Sequence, residues 1–187
     1  MLVVIISTFV HLLLLGKKNC ILYQENHATK KPEGHIMTTK LVIIRHAKPE
    51  DPLNYSDDSK RPLSMEGIET QRHVCNTLRE HGLHQGLLLC SPLLRAKQTA
   101  ALLFEILDIH CVQVEPALSN HFDGDSILQK IPKGTTTFLV GHNPHLSTFV
   151  EQLSGQHINI ETGSATLLEF PDAIDYGNAE FVAYFTG

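Results

Sequence analysis

The chain has 187 residues, 42% of them hydrophobic and 19% charged, and carries a formal net charge of −5 at pH 7. Those figures are ordinary for one globular domain with a sizeable core. The acidic balance excludes a general attraction to nucleic acid or to an anionic membrane surface, so an anionic substrate would need a local basic pocket working against the overall field.

Residues 1–16, MLVVIISTFVHLLLLG, form an apolar run long enough for a signal-peptide core and short for a membrane span. No lysine or arginine precedes the run, Lys17 and Lys18 follow it, and no A-x-A-like cleavage site is present. Residues 19–36 are polar and aperiodic, which reads as loop or disorder. Met37-Thr38-Thr39-Lys40 then stands directly before the first convincing strand. Residues 1–36 are therefore expected to be an extension and 37–187 the folded domain. Three readings of the extension stand: a segment upstream of a start at Met37, an uncleaved membrane anchor through 1–16, or an export signal. Cys20, Cys75, Cys90 and Cys111 show no CxxC pair and no regular spacing, which points to thiols in a reducing, cytoplasmic compartment, with Cys75 and Cys90 as core residues.

From Leu41 onward, short apolar runs alternate with helical patterns. Strands are expected at Leu41–Ile44, Leu87–Cys90, Val112–Val114 and Thr137–Val140. Helices are expected at Met65–His81, Pro92–Leu107, Asp125–Ile131 and Pro144–Ser154. In the last of these, Leu146, Phe149, Val150 and Leu153 recur at i, i+3, i+4, i+7. Thr166–Phe170 and Phe181–Phe185 read as closing strands, one of them a candidate antiparallel edge. The alternation implies a three-layer α/β/α domain, a mainly parallel central sheet covered by helices on both sides.

In such sheets ligands bind beyond the carboxyl ends of the strands. Three polar signals fall there: Arg45-His46 after the first strand, Ser91-Pro92-Leu93-Leu94-Arg95 after the second, and Gly141-His142-Asn143-Pro144 after the fourth. Ser91 and Asn143 read as N-caps followed by proline at the first helical position, so two helix N-termini would also face the crevice. Taken singly, each signal has a structural explanation: a satisfied Arg-His pair, a solvated helix arginine, a turn glycine beside a core histidine. Their shared position favours an anion site instead.

At these residues the chain resembles a known family. LVIIRHAK is similar to the RHG motif of the histidine phosphatase superfamily, also called phosphoglycerate mutase-like, with Ala47 in place of the usual glycine. SPLLRAKQTA and LVGHNP are similar to its second and third motifs, in order. The short length and the segment Lys60-Arg61-Pro62-Leu63-Ser64-Met65-Glu66-Gly67 resemble the SixA-type phosphohistidine phosphatases.

The resemblance implies a metal-independent phosphatase without cofactor, in which neutral His46 attacks phosphorus and forms a phosphohistidine intermediate. It implies that Arg45 and Arg95 grip the phosphoryl oxygens and that His142 donates to the same oxygens. Arg61 is either a fourth phosphate contact or a structural arginine before a proline. Many members carry a proton-donating acid after the third strand, where this chain has Asn120. Glu115, Asp123 and Asp125 are the substitutes at hand, each with a loop or capping reading beside it. An enzyme short of an acid suits a phosphohistidine substrate, whose imidazole leaves well. The expected partner is thus a phosphorylated protein. The rivals are a phosphomonoesterase acting on a small phosphate ester with Asp123 or Asp125 as acid, and a phosphate-binding module without turnover. A metal held by His142 and His145 has no completing ligand set.

Overall fold

The computed structural model describes residues 19–20 and 38–187, so residues 1–18 and 21–37, with most of the expected extension, lie outside the described part. Seven strands form one sheet: β1 (Asn19–Cys20), β2 (Thr39–Arg45), β3 (Gln85–Cys90), β4 (Asp108–Val114), β5 (Thr136–Gly141), β6 (Ser164–Phe170) and β7 (Glu180–Thr186). The helices are α1 (Met65–Glu80), α2 (Leu94–Ile106), α3 (Gly124–Leu128) and α4 (His145–Ser154). The spatial order is β1-β4-β3-β5-β2-β6-β7. β4, β3, β5 and β2 run parallel, while β1, β6 and β7 join antiparallel to their neighbours. The expected mainly parallel sheet is therefore present, with β6 opposing the parallel strands on one side and β7, antiparallel to β6, again running with them. Asn19–Cys20, expected to be loop, pairs instead with β4, whose outer edge offers it free backbone groups.

β2 shows why the strands read as unbroken apolar runs. Val42 and Ile44 enter one core with Val74, Leu78, Ala100 and Leu103. Leu41 and Ile43 enter a second core with Leu146, Phe149, Val150 and Leu153. Side chains alternate across a strand, and helices cover both faces, so every position must be apolar. The four apolar positions picked out on α4 are all buried in the second core, as their spacing requires. α1 starts where Ser64 accepts a hydrogen bond from the Gly67 N–H, and buries Gln71, Val74, Cys75 and Leu78.

Two expectations about helix starts need correction. α2 begins at Leu94 with no side-chain cap, and Ser91 Oγ lies 3.5 Å from the Leu93 N–H instead. α4 begins at His145, so Pro144 precedes the helix; Asn143 nevertheless serves the first turn by accepting from the Ser147 N–H at 3.2 Å. The thiol expectation also fails at one position: Cys75 and Cys90 are free and buried, but Cys111 is disulfide-bonded. Among the described residues, no helix is long and apolar enough to cross a membrane.

Candidate active site

The sheet order assembles the site. β2, β5 and β3 are neighbours and parallel, so residues far apart in sequence leave the sheet at one edge. Arg45 is paired with Gly141, the His46 N–H donates to the Gly141 carbonyl at 3.2 Å, and the Ser91 N–H donates to the Val140 carbonyl at 2.9 Å. His46, Arg95 and His142 are thereby brought together.

His46 is 6% exposed. Its Nδ1 lies 2.8 Å from the Ala47 carbonyl, which can only accept, so Nδ1 carries the proton. Nε2 accepts from Arg95 Nε at 3.1 Å, and its lone pair is thus turned toward the guanidinium. Burial lowers the His46 pKa to about 4; the Ala47 carbonyl opposes this, and the charges of Arg95, His142 and Arg45 reinforce it. The imidazole is neutral at physiological pH. His142 is 9% exposed, and its ring centre lies 6.5 Å from that of His46. Its pKa is also lowered, first by burial and then by Arg95 and His145, with Asp58 opposing.

The backbone after His46 is packed tightly. Ala47 is fully buried, and a Cβ placed on Gly163 would lie 3.2 Å from its methyl group. Gly163 has φ +72° and donates its N–H to the His46 carbonyl at 3.2 Å. The missing side chain at Gly163 is what leaves room for alanine where the RHG pattern has glycine.

Arg45 Nη1 donates to the Ile160 carbonyl at 3.0 Å, and Asn143 Nδ2 donates to the same oxygen at 2.9 Å. One loop carbonyl therefore steadies both Arg45 and the turn that carries His142. Arg95 is 6% exposed. Its Nη1 donates to the Asp58 carbonyl at 2.8 Å and its Nη2 to the Asp58 carboxylate at 2.9 Å. The same carboxylate pairs with Arg61 Nη2 at 2.8 Å, so Arg61 joins the cluster through Asp58. Four buried nitrogens of this set have no hydrogen-bond partner among the described residues: Arg45 Nε, Arg61 Nε, and both ring nitrogens of His142. Buried polar groups are ordinarily paired, and with His142 neutral this set leaves three N–H donors unmatched, a combination that suits an acceptor-rich group.

The three candidate acids are engaged elsewhere. Glu115 caps the turn at Ala117 and pairs with Lys130. Asp123 caps α3 by accepting from Ser126, and these bonds hold its pKa below the ordinary carboxylate value. Asp125 accepts from the Tyr176 hydroxyl at 2.9 Å. Asp123 and Asp125 line a separate cleft of about 320 Å³ with Phe122, His145 and Tyr176. The cleft adjoins the site through His145, whose ring centre is 6.0 Å from that of His142.

The acidic residue that does contact the cluster, Asp58, belongs to none of the three motifs. Its place three residues before Arg61 in Asp57-Asp58-Ser59-Lys60-Arg61 does not by itself set it apart from a solvated turn. Despite partial burial, its bonds to Arg95 and then Arg61 hold its pKa below the ordinary value.

Residues 41–125 match the family model for the histidine phosphatase superfamily (branch 1). An uncharacterized protein of Picosynechococcus sp. is 32% identical over 132 residues, covering 65% of this chain and 79% of the relative. The chain belongs to the histidine phosphatase superfamily. It is a hydrolase acting on phosphoryl groups. The adenosylcobalamin/alpha-ribazole phosphatase of Escherichia coli K12 is 35% identical over 88 residues, 46% of this chain and 42% of that enzyme. Among solved structures, the protein histidine phosphatase SixA complexed with tungstate superposes with TM-score 0.67 at 23% identity, over 79% of this chain and 96% of that one. The phosphoglycerate mutase-like fold expected from the motifs is the one observed.

Proposed function

We propose that this phosphatase removes the phosphoryl group from a phosphohistidine side chain of another protein, by way of a phosphohistidine on His46. His46 Nε2 uses its lone pair to form an N–P bond, while the phosphorus–nitrogen bond of the substrate breaks; its electron pair stays with the departing ring, which leaves as neutral imidazole because its other nitrogen carries a proton. Water then attacks phosphorus, frees His46 and leaves inorganic phosphate. Arg45, Arg61 and Arg95 hold the phosphoryl oxygens, each charge-assisted bond contributing roughly 1.5–3 kcal/mol. His142, neutral and with an unmatched N–H, donates to the same oxygens as charge builds on them.

One observation carries the choice of substrate: Asp58, the carboxylate bonded to the cluster, is held ionised by two guanidinium groups. A depressed pKa makes a poor proton donor. General acid catalysis ordinarily supplies ~10²–10⁴ in rate, and a departing imidazole, of pKa about 6.5, needs it far less than an alkoxide does. The SixA structure, a protein histidine phosphatase of the same fold, is consistent with this reading. A second reading, a small phosphate ester as substrate, draws on the 320 Å³ cleft beside His145, which could seat a leaving group. Its carboxylates would disfavour an anionic one.

The test is to assay purified protein in parallel on a phosphohistidine-bearing protein, an alkyl phosphate and an aryl phosphate, with His46→Ala as the blank. Phosphohistidine should be preferred, the aryl ester turned over and the alkyl ester nearly inert. Preference for the alkyl ester would refute the acid-poor account.

A further inference from the structure

Asp58 meets Arg95 twice. The guanidinium is a planar fork with five N–H groups. The backbone carbonyl of Asp58 takes a hydrogen from Nη1 and its carboxylate one from Nη2, so the residue occupies the two-pronged end of the fork. The side edge, made by the Nε–H and the other Nη2 hydrogen, is a second bidentate edge, and its Nε–H is directed at His46 Nε2. A bidentate edge of this kind matches two oxygens of a phosphoryl group. The second carboxylate oxygen of Asp58 holds Arg61 Nη2 at 2.8 Å, so one anion sets the spacing of two guanidiniums.

Asp58 has local support for this task. It opens a single 3-10 turn, Asp58–Lys60, that is capped by Asp57, whose side chain accepts from the Ser59 N–H. Its side chain is 57% exposed, and an exposed ion pair is ordinarily worth little. The Arg95 side chain, however, is only 7% exposed, and a guanidinium that far from water needs fixed partners. Two of the three hydrogen bonds its side chain makes go to Asp58, and the third goes to His46.

We infer that Asp58 is a positioning residue: it holds the end of the Arg95 fork so that the side edge is presented to the phosphoryl group at His46, and it fixes Arg61 beside it. This rests on the phosphoryl-transfer reading of the cluster. Two other roles for the same contacts make opposite predictions. A surface ion pair with no task would leave turnover unchanged when removed, and a carboxylate competing with phosphate for the arginines would speed turnover on its removal.

Asp58→Ala and Asp58→Asn separate these roles. Both variants should fold, since the side chain is half in solvent, and an unchanged melting temperature checks this. With an aryl phosphate as probe, Asp58→Ala should lower kcat by about 10–100-fold, the scale expected when a binding group is misplaced by about 1 Å. KM should change much less. Asp58→Asn keeps an oxygen for Arg95 Nη2 and should recover part of kcat. Wild-type kcat in Asp58→Ala, a raised kcat/KM, or no difference between the two variants would overturn the assignment. An independent readout needs no turnover: the Arg95 Nε–H resonance, protected by its bond to His46, should be lost to exchange in Asp58→Ala, and unchanged protection would also overturn it. Wild-type inactivity on the ester would count against the phosphatase reading, whereas an active wild type with an unaltered Asp58→Ala counts against Asp58 alone.

Discussion

The protonation state of His46 is the sharpest test of the proposed chemistry, because a protonated imidazole has no lone pair with which to attack. The perturbation is acid. Burial first, then the charges of Arg95 and Arg45 and repulsion from His142 whenever that ring is protonated, set the His46 pKa at about 4 against an ordinary 6.5. At pH 5 a group titrating at about 4 is ~90% neutral, while an ordinary histidine is only ~3% neutral. The assay is an NMR titration of the His46 ring from pH 8 to 3, with His46→Ala used to assign the signal. The sign for stability follows. The unfolded chain takes up the proton near 6.5 and the folded chain near 4, so the neutral form favours folding. On the order of 3 kcal/mol is present above about pH 6.5 and is lost as the pH falls through about 4. A His46 resonance titrating near 6.5 would refute the burial argument, and one titrating above about 8 would refute the neutral-nucleophile mechanism as well.

Two further expectations follow from named contacts. Arg95→Lys keeps a positive charge but removes the Nε–H bonded to His46 and the fork held by Asp58. Losing one to two charge-assisted bonds should lower kcat/KM by about 10²-fold or more, and steady-state kinetics showing less than a fivefold loss would contradict the role of the fork. Gly163→Ala places a methyl group at φ +72°, 2.8 Å from Thr70 Cγ2 and 3.2 Å from the Ala47 methyl. It should destabilise by about 1–3 kcal/mol, measured by urea denaturation. Ala47→Gly in the same chain should restore part of that loss, and strict additivity would show that the two positions do not share space.

The parts of the fold legible in advance are those with strong periodicity. The run Leu41–Ile44 announced a strand buried on both faces, and Leu146, Phe149, Val150 and Leu153 announced the inner face of α4. Helix starts were less legible. Ser91 and Asn143 are good capping residues by type, yet α2 and α4 begin further along, and Asn143 spends its amide on the Ile160 carbonyl and Ser147. The strand formed by Asn19–Cys20 was invisible, because two residues carry no periodicity and their order comes wholly from the edge of β4.

That Arg45, His46, Arg95 and His142 would meet at one sheet edge was readable because each follows a strand whose carboxyl end could be recognised locally. Asp58 was not readable, since nothing in Asp57-Asp58-Ser59 distinguishes a clamp from a solvated turn. For the candidate acids the structure supplies contacts that the sequence could not show. Glu115, Asp123 and Asp125 lie at a suggestive distance along the chain, but hydrogen bonds to Lys130, Ser126 and Tyr176 bind them to other tasks.

The amino-acid sequence alone determined the four motif residues that follow strand ends and which faces of each element are apolar, because both depend on residue type and short-range spacing. Tertiary structure decided the rest: that β2, β3 and β5 lie side by side, that Gly163 makes room for Ala47, and that a turn aspartate grips two arginines. These are contacts between segments separated by tens of residues, and no local pattern encodes the distance across which a guanidinium finds its partner.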